Sequence, residues 1–176
     1  QKEIARINSV VDTLNEFAQH PRLVMRKLDF NETVRNVLKT FESEINARQI
    51  VLEAEWDPDA LVTDLDPAYF SQALHNVLKN SIESMPAGGK LRVKTRRNQD
   101  LAEVTIADSG KGITDADAPN LFMPFFSTKE KGMGLGLTVA NRILRQHDGE
   151  LTFASGDDGG SAFALRVPLA GADDAD

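Results

Sequence analysis

Asp108 ends an apolar run and is followed by Ser109-Gly110-Lys111-Gly112-Ile113. An ionised carboxylate only accepts hydrogen bonds, and the two closely spaced glycines make a tight turn from which it could face a pocket. Asp and Gly are also common in plain turns, so that simpler reading stands beside the first. Upstream, Gln72, Asn76, Asn80 and Glu83 recur at spacings of 4, 4 and 3, with Lys79 beside the second asparagine. Such spacing gathers polar groups on one stripe of a helix. Two asparagines are poor residues for a helix interior, which leaves either a function for their amides or a wetted surface. Downstream, Lys131 precedes Gly132-Met133-Gly134-Leu135-Gly136-Leu137, which opens an apolar helical pattern at Leu137, Val139, Ala140, Ile143 and Leu144. Glycine lets a ligand approach the main chain, and the first N–H groups of a helix attract anions, so a phosphate could sit there. The spacing matches neither a P-loop nor a dinucleotide fingerprint, and a flexible hinge is the alternative.

Between the acidic turn and the glycine run, residues 114–131 show no long periodicity. They contain Leu121-Phe122-Met123-Pro124-Phe125-Phe126 followed by Ser127-Thr128-Lys129. Aromatics in such a segment must pack somewhere, either in a flap that closes over a ligand or in a fixed loop cluster.

The elements that must hold these groups can be read in order. Ile4, Ile7, Val11, Leu14 and Phe17 or Ala18 form the seam of an amphipathic helix over residues 1–18. His20-Pro21 ends it, and residues 21–28 read as a linker. Asp29 or Asn31 caps a second helix to about Ala47, and Gln49–Trp56 alternates as a strand. A short strand near Leu61–Asp64 follows. Asp66-Pro67 opens a helix running to about Met85, with Phe70, Ala73, Leu74, Val77, Leu78 and Ile82 on its buried face. Lys90–Arg96 and Leu101–Ala107 pair as antiparallel strands, and Glu150–Ala154 and Ala162–Pro168 supply two more.

The chain has 176 residues, no cysteine and a formal charge of −7, to which Asp173, Asp174 and Asp176 of an acidic tail contribute three. One domain with a short appendage fits that length. Lack of cysteine excludes disulfides and thiolate metal sites and fits a reducing, cytoplasmic setting. The acidic balance argues against non-specific nucleic-acid binding. No run of about 18 apolar residues occurs, so any membrane anchor is expected outside this chain. Because Gln1 begins in mid-pattern, the chain is expected to be part of a longer protein.

Taken together, Asn76 to Asn80, Asp108-x-Gly-x-Gly, the Phe-Phe-Ser-Thr-Lys segment and Gly-Met-Gly-Leu-Gly-Leu resemble the N, G1, F and G2 boxes of sensor histidine kinases. The resemblance covers about residues 30–168. Residues 1–28, with Glu16-Phe17-Ala18 and Pro21, look like the second helix of a dimerisation and histidine-phosphotransfer hairpin, and the nearest likeness is to nitrogen-regulation kinases of the NtrY or NtrB type. The wider superfamily of gyrase, the heat-shock chaperone and MutL implies an α+β fold. That is a two-layer α/β sandwich of the Bergerat type, with a mixed, mainly antiparallel sheet and helices on one face. The implied domains are 1–28, the catalytic ATP-binding domain at 29–169, and a disordered tail at 170–176.

The resemblance also implies roles. Asp108 would accept from the adenine amino group, and Gly110 and Gly112 would let the main chain approach the base, with Ile113 and Phe122 beside it. Asn80 would offer its oxygen to Mg²⁺, with Asn76 facing the same site. Lys79 and Lys129 would neutralise phosphate charge next to Thr128. Gly132, Met133, Gly134, Leu135, Gly136 and Leu137 would wrap the phosphates. In hydrolysing relatives the position of Asn76 is a glutamate that activates water, so its absence favours transfer to a protein acceptor. The implied partners are the missing first helix, a second protomer and a response regulator. The family's acceptor histidine is not found in its expected context, since only His20, His75 and His147 occur. An adenine-nucleotide-binding switch or an anti-sigma-type serine kinase remains the rival reading; residues 1–18 argue against the latter.

Overall fold

The computed structural model describes residues 22–129, 132–156 and 159–171. The expected helix over 1–18, its end at His20-Pro21, Lys131 and residues 172–176 of the acidic tail lie outside the described residues. Strand β1 is Arg26–Asp29, followed by helices α1 (Phe30–Lys39) and α2 (Glu42–Ala47). Next come β2 (Ile50–Glu55), β3 (Val62–Leu65), α3 (Pro67–Glu83), β4 (Gly89–Asn98) and β5 (Leu101–Asp108). Helix α4 (Gly136–Gln146) and strands β6 (Glu150–Ser155) and β7 (Ser161–Pro168) complete the order.

Five strands form one sheet in the order β2-β4-β5-β7-β6, with β2 parallel to β4 and the other neighbours antiparallel. Period-two burial explains why one face takes the helices: on β7, Ser161, Phe163, Leu165 and Val167 are buried while the residues between them are half-buried. Leu91, Val104, Ile106, Phe163 and Leu165 meet Phe70, Leu74, Val77, Leu78 and Ile143 in a single core. This is the two-layer α+β sandwich expected from the sequence.

Two expectations change. Residues 26–28, read as linker, form with Asp29 a strand that pairs antiparallel with β3, from Arg26 opposite Leu65 to Asp29 opposite Val62. A four-residue strand with two adjacent basic residues is too short to show alternation. The expected single helix to Ala47 is broken at Thr40 and Phe41 into α1 and α2. The Thr40 hydroxyl bonds the Val37 carbonyl, the local competition that ends helices at threonine.

Capping was legible. The Asp29 carboxylate accepts from the Asn31 and Glu32 N–H groups at the start of α1. Asp66 does the same for Ala68 and Tyr69 on α3, and its other oxygen accepts from the Val24 N–H at 2.7 Å. His147 anchors this corner: its Nε2 accepts from the Asp66 N–H at 3.0 Å and its Nδ1 donates to the Ile143 carbonyl at 2.8 Å. It is a packing residue that ties the end of α4 to the start of α3.

On the helix-free face, Arg96, Glu103, Arg166 and Glu150 stand opposite one another across β4, β5, β7 and β6. Glu103 is 1% exposed and accepts from both Arg96, at 2.5 Å, and Arg166. Burial alone would raise its pKa, but the two arginine hydrogen bonds outweigh burial and hold the carboxyl below its ordinary value of 4.5. The native value lies below the unfolded one, so this contribution to stability is full above about pH 4.5 and is lost as pH falls through the native value. Glu103→Gln should therefore cost about 1–3 kcal/mol at pH 7. Its urea midpoint should fall less steeply than wild type below pH 4.5; parallel acid profiles would show that the arginine row contributes nothing.

Candidate nucleotide site

Helix α3 carries the site along its length because its N-cap, first-turn proline and buried stripe set its rotation against the sheet. With Phe70, Ala73, Leu74, Val77 and Leu78 facing the core, the 3.6-residue period leaves Asn76, Asn80 and Glu83 together at the rim beside the irregular segment that carries Lys129. Asn80 Oδ1 and Glu83 Oε2 both accept from the Lys129 ammonium, at 2.9 and 2.8 Å. Gly136, the first residue of α4, lies against Asn76: a Cβ built there would meet the carboxamide at 3.8 Å, ordinary contact distance. The structure thus brings Asn76, Asn80, Lys129 and the start of α4 together. Glu83 belongs with them; it was legible only as a member of the polar stripe.

At the far end of α3 lies Asp108. Its Oδ1 accepts from the Gly110 N–H at 3.0 Å and from the Ser84 hydroxyl at 2.9 Å. Its Oδ2 is buried with no hydrogen-bond partner among the described residues. A buried carboxylate oxygen left open costs free energy unless a ligand donor completes it. The glycines keep the wall bare. A Cβ on Gly110 would come within 2.0 Å of Ser84 Oγ, and one on Gly112, at φ +68°, within 2.3 Å of the Gly159 carbonyl oxygen.

The connecting segment holds one short 3₁₀ turn, Ala118–Asn120, and otherwise irregular backbone. Leu121 is buried, and Ile113 and Phe122 pack half-buried against the core, whereas Met123 and Phe125 are exposed. Lys111 reaches the Thr128 hydroxyl at 3.5 Å. The Gly134 carbonyl accepts from the Phe125 N–H at 3.1 Å, which returns the segment to the start of α4. That start has no side-chain cap, so its first N–H groups lack internal partners and face outward as anion donors. Leu135 is buried beneath the turn, and Met133 and Leu137 are half-buried.

Lys79 is not gathered with these groups. It is exposed, and its charge acts on His75 one turn back. Burial, then Lys79, lower the His75 pKa against an opposing pull from Glu44, and its ring packs on Phe41 at a centroid distance of 4.8 Å. On the helix-free side of the strand ends, Lys90, Arg92, Thr105, Ala107 and Ala162 line a shallow depression. Its two cations pair with Glu53 at 3.0 and 3.2 Å.

The residues fit the groups the resemblance implies. The open Asp108 oxygen suits the one donor on adenine's pairing edge. The Lys129 ammonium already sits as a cation between Asn80 and Glu83, where a divalent ion would find neutral and anionic oxygens. Among the described residues no three His, Cys, Asp or Glu side chains gather as a metal cage. Mg²⁺ commonly takes one or two protein oxygens and completes its shell with water and phosphates. Asn80→Ala should accordingly remove about tenfold of the Mg²⁺-dependent gain in ATP affinity measured by calorimetry. An equal gain in both proteins would show that the amide does not meet the ion.

An α/β sandwich with a polar helix stripe, a strand-end carboxylate and an irregular segment closed by a glycine turn is the architecture of one ATPase class. Residues 65–171 match the model for histidine kinase-, DNA gyrase B-, and HSP90-like ATPases, and the chain belongs to that family. It is 33% identical to sporulation kinase C of Bacillus subtilis over 95% of this chain and 39% of the relative. It is 32% identical to the sensor histidine kinase ZraS of Escherichia coli over 96% of this chain and 36% of that protein. The chain therefore spans under two fifths of these relatives. The catalytic domain of histidine kinase ThkA superposes with a TM-score of 0.77 at 28% identity, over 84% of this chain and 97% of that one. ThkA in complex with its response regulator TrrA gives a TM-score of 0.83 at 25% identity, over 96% of this chain and 48% of that one. The chain is thus a catalytic ATP-binding domain of the histidine-kinase kind. The expected likeness to NtrY- or NtrB-type nitrogen-regulation kinases finds no support among these relatives. No helix among the described residues is long and apolar enough to cross a membrane.

Proposed function

We propose that this chain is the phosphoryl-donor part of a two-component sensor kinase: it binds Mg·ATP and presents the γ-phosphate to a histidine on a dimerisation helix. The phosphoryl group then passes to an aspartate of a response regulator. The observation that carries the reading is the buried Asp108 oxygen that has no partner among the described residues, an acceptor that matches the adenine amino group and opposes guanine O6.

Each residue then has a task. Asp108 selects the base, Gly110 and Gly112 hold the main chain close to it, and Ile113 and Phe122 supply apolar wall. Asn80 offers Mg²⁺ an oxygen, and Asn76 orients phosphate from one turn away. Lys129, released from Asn80 and Glu83, neutralises charge on the transferred group beside Thr128, and Lys79 adds a longer-range charge. The N–H groups from Gly132 to Leu137 cradle the phosphates at the start of α4. When held there, Mg²⁺ would supply positive charge against the phosphates. The acceptor nitrogen forms its bond to phosphorus as the bridging bond to ADP breaks, and catalysis rests on positioning and charge stabilisation. Asn76 stands where hydrolysing relatives carry an acid, and its amide cannot remove a proton from water, which favours transfer over hydrolysis. The intact protein acts as a homodimer, with no nucleic-acid partner, and meets a membrane only through parts outside this chain.

With γ-labelled ATP and Mg²⁺, the chain by itself should form no acid-labile phosphohistidine, yet should label a supplied dimerisation domain that carries the first helix. His147 is buried with both ring nitrogens engaged and His75 is stacked on Phe41; both move with the domain that holds the nucleotide. Acid-labile label retained by wild type and lost in His20→Ala would overturn this, as would failure to label any histidine domain while a serine substrate is phosphorylated.

A further inference from the structure

Two buried side-chain atoms lack hydrogen-bond partners among the described residues, and both lie at one end of α3: Asp108 Oδ2 and Ser81 Oγ. Ser81 is 0% exposed. Ser84, one turn further on, joins their surroundings. Its Oγ lies 2.7 Å from the Ser81 carbonyl oxygen and 2.9 Å from Asp108 Oδ1. A hydroxyl has one proton to donate, and a carboxylate is the stronger acceptor. Ser84 therefore gives its proton to Oδ1, which also receives the Gly110 N–H. With two donors on Oδ1, the free acceptor capacity of Asp108 is directed through Oδ2.

A buried unpaired hydroxyl on a helix is unusual, because serine there commonly bonds the carbonyl four residues back. Ser81 makes no such bond. Its unpaired hydroxyl is costly in the free protein and is complementary to a ligand that brings an acceptor next to a donor. Adenine's pairing edge has that order: an amino donor beside the ring nitrogen N1.

We propose that Ser84 and Ser81 complete adenine recognition, Ser84 as the positioning residue that fixes the Asp108 carboxylate for the amino group and Ser81 as the hydroxyl partner of N1. This rests on the assignment of Asp108 to adenine. Neither serine belongs to the glycine turns or the asparagine pair: Ser81 is buried in the last turn of α3 and Ser84 caps its end beside Asp108, and a sequence pattern records only small residues there.

Calorimetry with three nucleotides separates the roles: ATP, purine riboside triphosphate, which lacks the amino group, and 1-deaza-ATP, which lacks N1. Ser84→Ala should weaken ATP by about 3- to 10-fold while leaving purine riboside triphosphate within twofold, because Ser84 acts through the amino contact. Ser81→Ala should weaken ATP by a similar factor and leave 1-deaza-ATP unchanged. Alanine also removes a buried unpaired hydroxyl and is the better helix former, so nucleotide-free Ser81→Ala should melt at or above the wild-type temperature. Higher stability with lower affinity is a combination that a merely structural serine would not give. Equal factors for all three nucleotides, or no change, would overturn the proposal. Asp108→Asn run alongside keeps the outcomes apart. If it binds ATP as wild type does, the adenine assignment itself falls; if it weakens binding while the serine variants do not discriminate, only the serine inference falls.

Discussion

Asp108→Asn is expected to weaken ATP binding by about 10- to 150-fold, the equivalent of losing a charge-assisted hydrogen bond at roughly 1.5–3 kcal/mol. The geometry makes this side chain hard to replace. One oxygen is held by Gly110 and Ser84, and the buried other oxygen awaits a donor. An asparagine that keeps its carbonyl on Gly110 and Ser84 points its NH₂ at the amino group, donor against donor. One that flips leaves two protein donors unmatched. Stability of the nucleotide-free domain should change far less than affinity, since the open oxygen has no internal partner to lose. Calorimetric titration of ATP and GTP into both proteins reads the effect. An unchanged ATP affinity would remove Asp108 from the site.

Gly134→Ala should act on the lid with comparable force. Gly134 adopts φ +67°, and a Cβ there would lie 2.3 Å from the Phe126 carbonyl oxygen and 2.6 Å from the Phe125 carbonyl carbon. These are main-chain atoms, so relief requires the whole turn to move. The left-handed conformation alone costs a non-glycine residue about 1–2 kcal/mol. Phe125 shares the strain at φ +65° and is 65% exposed, held through its N–H to the Gly134 carbonyl. Alanine should break that closure, raise hydrogen exchange across 121–135 and lower ATP affinity at least tenfold. The melting temperature should shift little, because few lid residues enter the core. Wild type should gain protection in the same segment with a non-hydrolysable ATP analogue relative to ADP. Unaltered exchange in Gly134→Ala would mean that the segment is a rigid part of the domain.

The two variants divide the site as the chain does. Asp108 and the amide stripe of α3 are placed by elements whose periodicity, caps and turns are local. The lid is placed by one glycine turn and by Lys129, whose ammonium spans to Asn80 and Glu83 across 49 and 46 residues of sequence. That cation holds the oxygen assigned to Mg²⁺ in the proposed function, which implies an exchange of one cation for another when nucleotide binds.

Much was determined by sequence alone because its physics is short-range. Asp66-Pro67 starts a helix through N–H groups two and three residues away. The spacing of Asn76, Asn80 and Glu83 places them on one face whatever they later meet. Asp108-Ser-Gly and the glycine run declare turns, since few other residues tolerate such backbones. What sequence could not show were relations between distant segments. β1 became a strand only because β3 pairs with it, and α1 and α2 separate where Thr40 turns back on its own carbonyl. Lys79 and Lys129 look equivalent as cations beside a polar stripe. Only the packed fold leaves one exposed to solvent and brings the other, from 49 residues away, to Asn80. The rotation of α3 against the sheet buries Ser81 with an open hydrogen bond and sets half-buried Ser84 against Asp108 at the end of β5, so two ordinary small residues acquire roles their pattern does not show.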